Sequence, residues 1–331
     1  MGAVTIEDIA RVVGCAPGTV SRALNNRKGV REETRARIVE VAKQMGYQPN
    51  AIAQSLVSKQ SHVIALIVPD ITEPILSSIA LAADAYLFEH GYTMLLCNTG
   101  YDVEQERKKL AYVGQRRVDG LLVRPCRDDV ESVVQLGLPT VLVSQSYDGP
   151  LSYIDVENET AGYLGTKHLL ERGYRRIAFL GGPPLNHVRL RYQGYQRALR
   201  EYGLPVDPSY CWNGEYTIEG GYRAMCAFQA LPETPDAVFT CNDRTAIGVL
   251  RRAQESGLSV PDELGIIGFN DDEEAAWPQI NLTTVRQPVQ YMGGLAAKIL
   301  LEQIEQGGSA MPQKIQIYPQ IIERGTTRAL R

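Results

Sequence analysis

TIEDIARVVGCAPGTVSRALNNRKGVREETRARIVEVAKQMGYQPNAIAQSLVSKQ, residues 5–60, decides the reading of this chain. Thr5 followed by Asp8 is a capping-box start, with Asp where Glu is commoner. Ile6, Ile9, Ala10 and Val13 then fall on one helical face. Gly14 ends that helix and Cys15-Ala16 makes a turn. Pro17 sits where a first helical residue tolerates a missing N–H. A second helix runs from about Pro17 to Leu24, with Val20, Ala23 and Leu24 inward and Thr19, Ser21 and Arg22 outward. A third, roughly Glu32 to Met45, carries Ile38, Val39, Ala42 and Met45 at core spacing. Three short helices share one small core and leave the second exposed, the arrangement in which a helix enters the major groove of DNA.

The totals agree with a small head on a large body. The chain has 331 residues, too many for one ordinary core. Its 44% hydrophobic and 22% charged residues are those of a globular protein. Residues 1–60 carry nine Lys/Arg against five Asp/Glu, and the remainder 25 against 33. A basic head on an acidic body fits phosphate contact by the head alone. The six cysteines are dispersed without a C-x-x-C, and His62, His90, His168 and His187 do not cluster with them, so neither a metal site nor a cofactor is expected. No secretory signal is read at the N-terminus and no apolar run approaches membrane-spanning length. A cytoplasmic location with free thiols and no membrane partner is the expectation.

TIEDIARVVG, then TVSRALN, then TRARIVEVAKQMGYQPNAIAQSL resembles the lactose-repressor/galactose-repressor (LacI/GalR) family of bacterial transcription regulators. The T-V-S-R-x-L-N run followed by G-Y-x-P-N-x-x-A-x-x-L carries the resemblance. It implies a ligand-responsive regulator that binds a palindromic operator in double-stranded DNA as a homodimer. It also implies a helix-turn-helix domain over 1–48 and a hinge helix or linker over 49–60. An effector-binding and dimerisation body then occupies 61–331, an N-lobe at about 61–158 and 288–316 and a C-lobe at about 159–287 and 317–331. Asn50 suits the cap of the hinge helix, Ala53 lies in it, and Leu56 is the wedge for a minor-groove step.

Residue chemistry fills in the head. Arg22 suits bidentate pairing with guanine O6/N7. Thr19, Ser21, Asn25 and Thr34 suit phosphate contacts that set register, and Thr5 and Tyr47 are further expected DNA contacts. Pro17 and Gly18, by resemblance the main base-reading pair, have no side chain that hydrogen-bonds a base edge. Ala16 lacks a hydroxyl and Arg31 stands where a serine cap is usual. Direct readout then leans on Arg22, an apolar contact from Pro17, and DNA shape.

From Ser61 the period changes. VIALIVP, TMLLCN, VDGLLVRP and TVLVSQ are short apolar runs that fit buried parallel strands, with helical stretches between them. RRIAFLGG, AVFTCN and LGIIGFN repeat the pattern. An α/β fold of two lobes with open, mostly parallel sheets follows, and it resembles periplasmic sugar-binding proteins. Chain crossings between the lobes fall near 157–160, 285–288 and 315–319. Ligands bind beyond the carboxyl ends of such strands. That rule selects Asp70, Glu73, Ile75, Arg124, Ser144, Arg189, Arg191, Tyr216, Asn242, Asn270 and Gln287, with His187 at the same helix start. By resemblance Arg191, Asn242 and Asn270 face the effector and Tyr216 is a wall. The aromatic pair and the aspartate common in sugar-binding members are here Ile75-Leu76 and Asn270. Arg124 and Arg191 bring cationic donors, so the expected effector is a sugar acid or sugar phosphate.

Two rivals share this body: a cytoplasmic sugar-binding protein and an enzyme of the same fold. The chain holds no G-x-S-x-G, G-x-x-x-x-G-K-[ST], G-x-G-x-x-G or H-E-x-x-H, so no catalytic residue is expected. The resemblance favours a repressor of carbohydrate-utilisation genes released by its effector. The residues themselves leave the sign of the response open. They show no heptad tail for assembly beyond a dimer.

Overall fold

The computed structural model describes residues 4–25, 28–47, 60–307 and 310–330. Asn50, Ala53 and Leu56, and with them nearly all of the expected hinge, lie outside those residues. The chain divides into two compact units, Met1–Ser61 and His62–Arg331.

The first unit contains α1 (Ile6–Val13), α2 (Pro17–Leu24) and α3 (Glu32–Gln44). Thr5 and Asp8 complete the capping box: Asp8 N donates to Thr5 Oγ1 (3.2 Å) and Thr5 N to Asp8 Oδ2 (3.0 Å). Gly14 closes α1 in the left-handed conformation, φ 76°. Ile9, Ala10, Val20, Ala23, Ile38 and Ala42 form the buried core. Val39 does not join them, against the expectation from spacing, and is exposed. Helical rotation puts Ile38, Val41, Ala42 and Met45 on the inner stripe; Val39 lies one step outside it. Arg35 Nη1 donates to the Ala23 carbonyl (2.8 Å), satisfying a helix-end acceptor and tying α3 to α2.

The second unit holds two six-stranded sheets. The first contains β1 (Val63–Val68), β2 (Thr93–Asn98), β3 (Gly120–Val123), β4 (Thr140–Val143), β5 (Ser152–Val156) and β11 (Lys314–Ile317), in the order β11-β5-β4-β3-β1-β2, all parallel. Ile64, Leu66 and Val68 of β1 enter one core cluster and Ala65 and Ile67 another. Both faces are covered, which is why the strand is an unbroken apolar run. Helices α4 (Pro74–Glu89) and α11 (Val289–Glu305) cover one face; α5 (Val103–Gln115) and the short α6 (Glu131–Val134) cover the other.

The second sheet runs β12 (Gln320–Ile322), β10 (Thr283–Arg286), β9 (Gly265–Asn270), β8 (Ala237–Thr240), β6 (Ile177–Gly181), β7 (Cys211–Asn213), parallel except for β12 against β10. It lies between α7 (Asn158–Glu171) with α8 (Asn186–Glu201) and α9 (Ile218–Gln229) with α10 (Asp243–Glu255). The chain passes between sheets after β5, after β10 and after β11.

Each helix pair of this lobe crosses on glycines. A Cβ on Gly162 would stand 2.0 Å from the Arg191 carbonyl oxygen, and one on Gly194 2.0 Å from that of Glu159. Backbones meet there without side chains between them, which fixes the start of α8 and everything it carries. Periodicity singles out neither β5 nor α11. Strand β5 is buried yet polar at Ser152 and Asp155. Ser152 Oγ accepts from Gln303 (2.6 Å) and from Gln313 N (2.9 Å). Asp155 accepts from Ser146 N, Val156 N and Asn158. Satisfied partners permit polar atoms where the apolar pattern breaks.

Candidate DNA-reading face and effector cleft

Helix α2 presents Pro17, Gly18 and Arg22 to solvent, with Thr19 and Ser21 partly exposed, as is Thr34 on α3. Arg22 Nε donates to the Gly18 carbonyl (3.1 Å), which folds the stem along the helix. Its terminal amines are the atoms that match guanine O6 and N7. Three expected contacts are already engaged. The Thr5 hydroxyl serves the capping box, Asn25 donates to Ser21 O (2.8 Å) at the end of α2, and Tyr47 packs against the core. Ala16 and Arg31 cap their helices with no side-chain bond.

In the larger unit the carboxyl ends of both sheets line one cavity of about 50 Å³. Glu73, Ile75, Arg124, Ser144, Arg191, Tyr216, Asn242, Asn270 and Gln287 reach it. Two expected residues do not. The Asp70 carboxylate accepts from Thr72 N (2.9 Å) and Thr72 Oγ1 (2.8 Å) in a local turn. Arg189 is exposed and donates to Asn186 Oδ1 (2.5 Å). Arg191 lies two positions further on, about 200° around the helix, so the pair faces opposite ways. The carboxyl-end rule also applies to the turn after β2, where the sequence reading missed Tyr101; Tyr101 and His187 both line the cavity.

The electrostatics centre on two buried arginines. Arg191 donates through Nε to Asn158 Oδ1 (2.9 Å) and through Nη1 to Cys241 O (2.8 Å), and its guanidinium lies 3.4 Å from the Phe269 ring centroid. Burial lowers its pKa to about 10. Arg124 donates to Gln145 Oε1 (2.6 Å) and Pro125 O (3.1 Å). Among the described residues neither arginine is ion-paired. Burial pushes the Asp155 carboxyl up while Arg124 and Arg191 pull it down. Burial likewise raises Glu73, partly offset by the Tyr101 hydroxyl that donates to it and by Arg124.

Cross-lobe bonds hold the cavity shut. Arg124 Nη2 donates to His187 Nδ1 (3.3 Å), so Nδ1 is the acceptor and Nε2–H donates to Tyr216 Oη (2.9 Å). Enclosure, and then the charges of Arg124 and Arg191, hold the His187 pKa well below its ordinary range. Asn186 N donates to Asp128 Oδ2 (2.9 Å). The space left is far below the roughly 300–1,000 Å³ usual for ligand sites, so this is a closed arrangement that must open to load. Tyr101 (φ 60°), Ser144 (φ 55°) and Asn270 (φ 113°) hold left-handed backbone at its wall. Such strain persists where surrounding structure fixes it, and it gathers at ligand clamps. Asn242 spends its Oδ1 on Thr245 N (2.8 Å) as the cap of α10, leaving its amide to the Tyr216 carbonyl (3.4 Å). No helix among the described residues is long and apolar enough to cross a membrane.

Comparison with known proteins agrees with both units. Residues 5–50 match the family of bacterial regulatory proteins, lacI family, and residues 166–327 match a periplasmic binding protein-like domain. The ribose operon repressor of Escherichia coli (strain K12) is 33% identical over 330 residues, covering 97% of this chain and 99% of that protein. The lac repressor dimer bound to operator and the anti-inducer ONPF superposes with a TM-score of 0.87 at 27% identity, covering 99% and 100% of the two chains. A LacI family transcriptional regulator from Enterococcus faecium with bound ribose gives 0.72 at 27% identity, covering 81% and 100%. The chain belongs to the lacI family of bacterial regulatory proteins, DNA-binding transcriptional repressors and not enzymes.

Proposed function

We propose that this chain is a cytoplasmic, dimeric repressor of carbohydrate-utilisation genes. Two heads grip a two-fold operator and release it when a small anionic sugar derivative fills the cleft. The observation that carries the effector class is the pair of buried guanidiniums, Arg124 and Arg191, in one cavity with no ion pair among the described residues. A sugar acid or sugar phosphate supplies the missing charge, and its hydroxyls supply a donor for Gln287 Oε1, which has no partner among the described residues. Leu81 and Phe88, exposed seven residues apart on α4, supply an apolar stripe for the partner subunit. Residues 1–48 form the DNA-binding part, 49–60 the hinge, and the remainder the effector body. Asn50, Ala53 and Leu56 act in that hinge on the operator.

Coupling follows from differential affinity. An effector shifts the operator equilibrium only as far as it prefers one lobe arrangement over the other, about 1–3 kcal/mol in typical cases. A second reading, a neutral pentose, is favoured by the ribose-bound relative. Thermal unfolding of the purified protein with hexonates, pentose phosphates and plain pentoses separates the two. Stabilisation by acids or phosphates, with operator footprints weakened by the same compounds, supports the first. Stabilisation by ribose alone rejects it, and protection that no compound changes rejects both.

A further inference from the structure

Arg189, expected in the cleft, faces a second cavity instead. This one measures about 430 Å³, within the usual range for a small-molecule site. It lies beside the ends of β6 and β7, against the outer side of α8. Its floor is apolar and aromatic, with Phe179, Leu185, Val188 and Tyr192. The Phe179 and Tyr192 rings are 5.4 Å apart at 52°. The mouth carries one charge of each sign. Arg189 donates to the Asn186 amide, and the Asp128 carboxylate accepts from Asn186 N. Neither is ion-paired among the described residues, although both edge the same hollow.

We propose that this cavity is a second ligand site for a small zwitterion with an apolar side chain, of the α-amino-acid type. The carboxylate goes to Arg189 and the ammonium to Asp128, while the side chain enters between Leu185, Val188 and the two rings. The mouth selects the head group. A simple acid meets the Asp128 carboxylate, a simple amine meets the Arg189 guanidinium, and a zwitterion satisfies both. The site also spans the lobes, because Asp128 precedes β4 in the first and Arg189 sits on α8 of the second. An occupant therefore adds a bridge beside the Asp128–Asn186 bond and favours the closed arrangement. Its effect on operator binding rests on the proposed repressor reading; binding itself does not.

Calorimetric titration of the full-length protein with L-phenylalanine and L-leucine tests this, with phenylacetate and phenethylamine as single-charge controls. Saturable binding of the amino acids, at least tenfold tighter than either control, is the expected result. Arg189→Gln should erase the preference over the amine, and Asp128→Asn the preference over the acid. Arg191→Met, in the other cavity, should leave both intact. Absence of binding at millimolar concentration overturns the proposal. So does binding that Arg191→Met removes and Arg189→Gln leaves unchanged, because the amino acid then occupies the cleft. A head that binds operator normally in either case leaves the repressor reading standing.

Discussion

The head and the cleft recognise their targets by opposite physics. The proposed reading face of α2 is exposed, and among the described residues its Arg22 side chain is bonded only to its own helix. The cleft takes its groups from segments spread between Glu73 and Gln287 and buries its two arginines, Arg124 and Arg191. A charge on the outside works against solvent and salt, so each contact is modest and separable. A charge on the inside has already lost its water, so removing one group strands its partners. Substitutions in the body should therefore cost more, and spread further, than substitutions on α2.

The largest effect is expected where no side chain of the cleft is replaced. In Gly162→Ala the added methyl stands 2.0 Å from the Arg191 carbonyl oxygen, so α7 and α8 must part. A loss of about 3 kcal/mol, roughly 6–12 °C in Tm, should appear in thermal unfolding, together with weaker effector binding as Arg191 shifts. An unchanged Tm would mean that this crossing does not fix α8.

Acidification should act on the body through buried histidine. His168 is pushed down to about 4 by burial and then by Arg172. In the unfolded chain it titrates near 6.5, so between about 6.5 and 4 the unfolded state takes up a proton that the native state refuses. Stability contributed by the neutral ring is whole above 6.5 and falls away as pH drops, by on the order of 3 kcal/mol. Asp272, pushed up to about 7 chiefly by burial, works the other way, binding its proton in the native state first. The difference between the parent and His168→Gln isolates the histidine: the variant should lose less stability between pH 6.5 and 4. Parallel curves would place the acid sensitivity elsewhere.

Arg191 and Arg189 give the sharpest internal contrast. Arg191→Met strands Asn158 Oδ1 and the Cys241 carbonyl and should weaken effector binding about 10- to 100-fold. Arg189→Met should alter neither effector affinity nor Tm, because its side chain is exposed at the second cavity, on the helix face turned away from the cleft. Titration of both variants with the stabilising sugar derivative decides. Equal losses would mean that the two arginines serve one ligand after all.

That contrast also marks what the sequence discloses. The head was readable almost to the residue because its helices are set by local signals: the Thr5/Asp8 box, Gly14, Pro17. Val39 escaped because Ile38, Val41, Ala42 and Met45 fill the inner stripe of α3 and Val39 lies one step outside it. The apolar runs disclosed both sheets, and the carboxyl-end rule found nine of the residues that line the cavity. Asp70 and Arg189 satisfied that rule yet point elsewhere, since nearness in sequence does not fix side-chain direction. Tyr101 was missed because its turn after β2 carries no chemical signature before Glu73 is brought beside it. The buried Asp155 was hidden for the converse reason: its partners, not its own type, make it tolerable in a strand.

On the head, Arg22→Ala should lower operator affinity by about 1–3 kcal/mol and relax preference at a single base pair. Tm should stay unchanged, since among the described residues the side chain bonds only to its own helix. Binding-site selection against the parent protein measures both. Uniform weakening across sequences would make Arg22 a phosphate contact and leave specificity to DNA shape.

The smallest expected effect is also the most pointed. Gly18 lies in the first turn of α2, where glycine is disfavoured against alanine by up to about 1 kcal/mol. Nothing lies within 4 Å of the place a Cβ would occupy. The folded head thus has no steric need for glycine, and a reason to keep it must come from outside the head. Close approach of a base edge or sugar supplies one. Gly18→Ala should therefore raise the stability of the head by several tenths of a kcal/mol to about 1 kcal/mol while weakening operator binding, a stability gain coupled to a functional loss. Thermal unfolding and a gel-shift titration on the same preparation read the two signs. If alanine improved both, the outer side of Gly18 would face solvent in the complex, and the groove-facing edge of α2 would begin at Arg22.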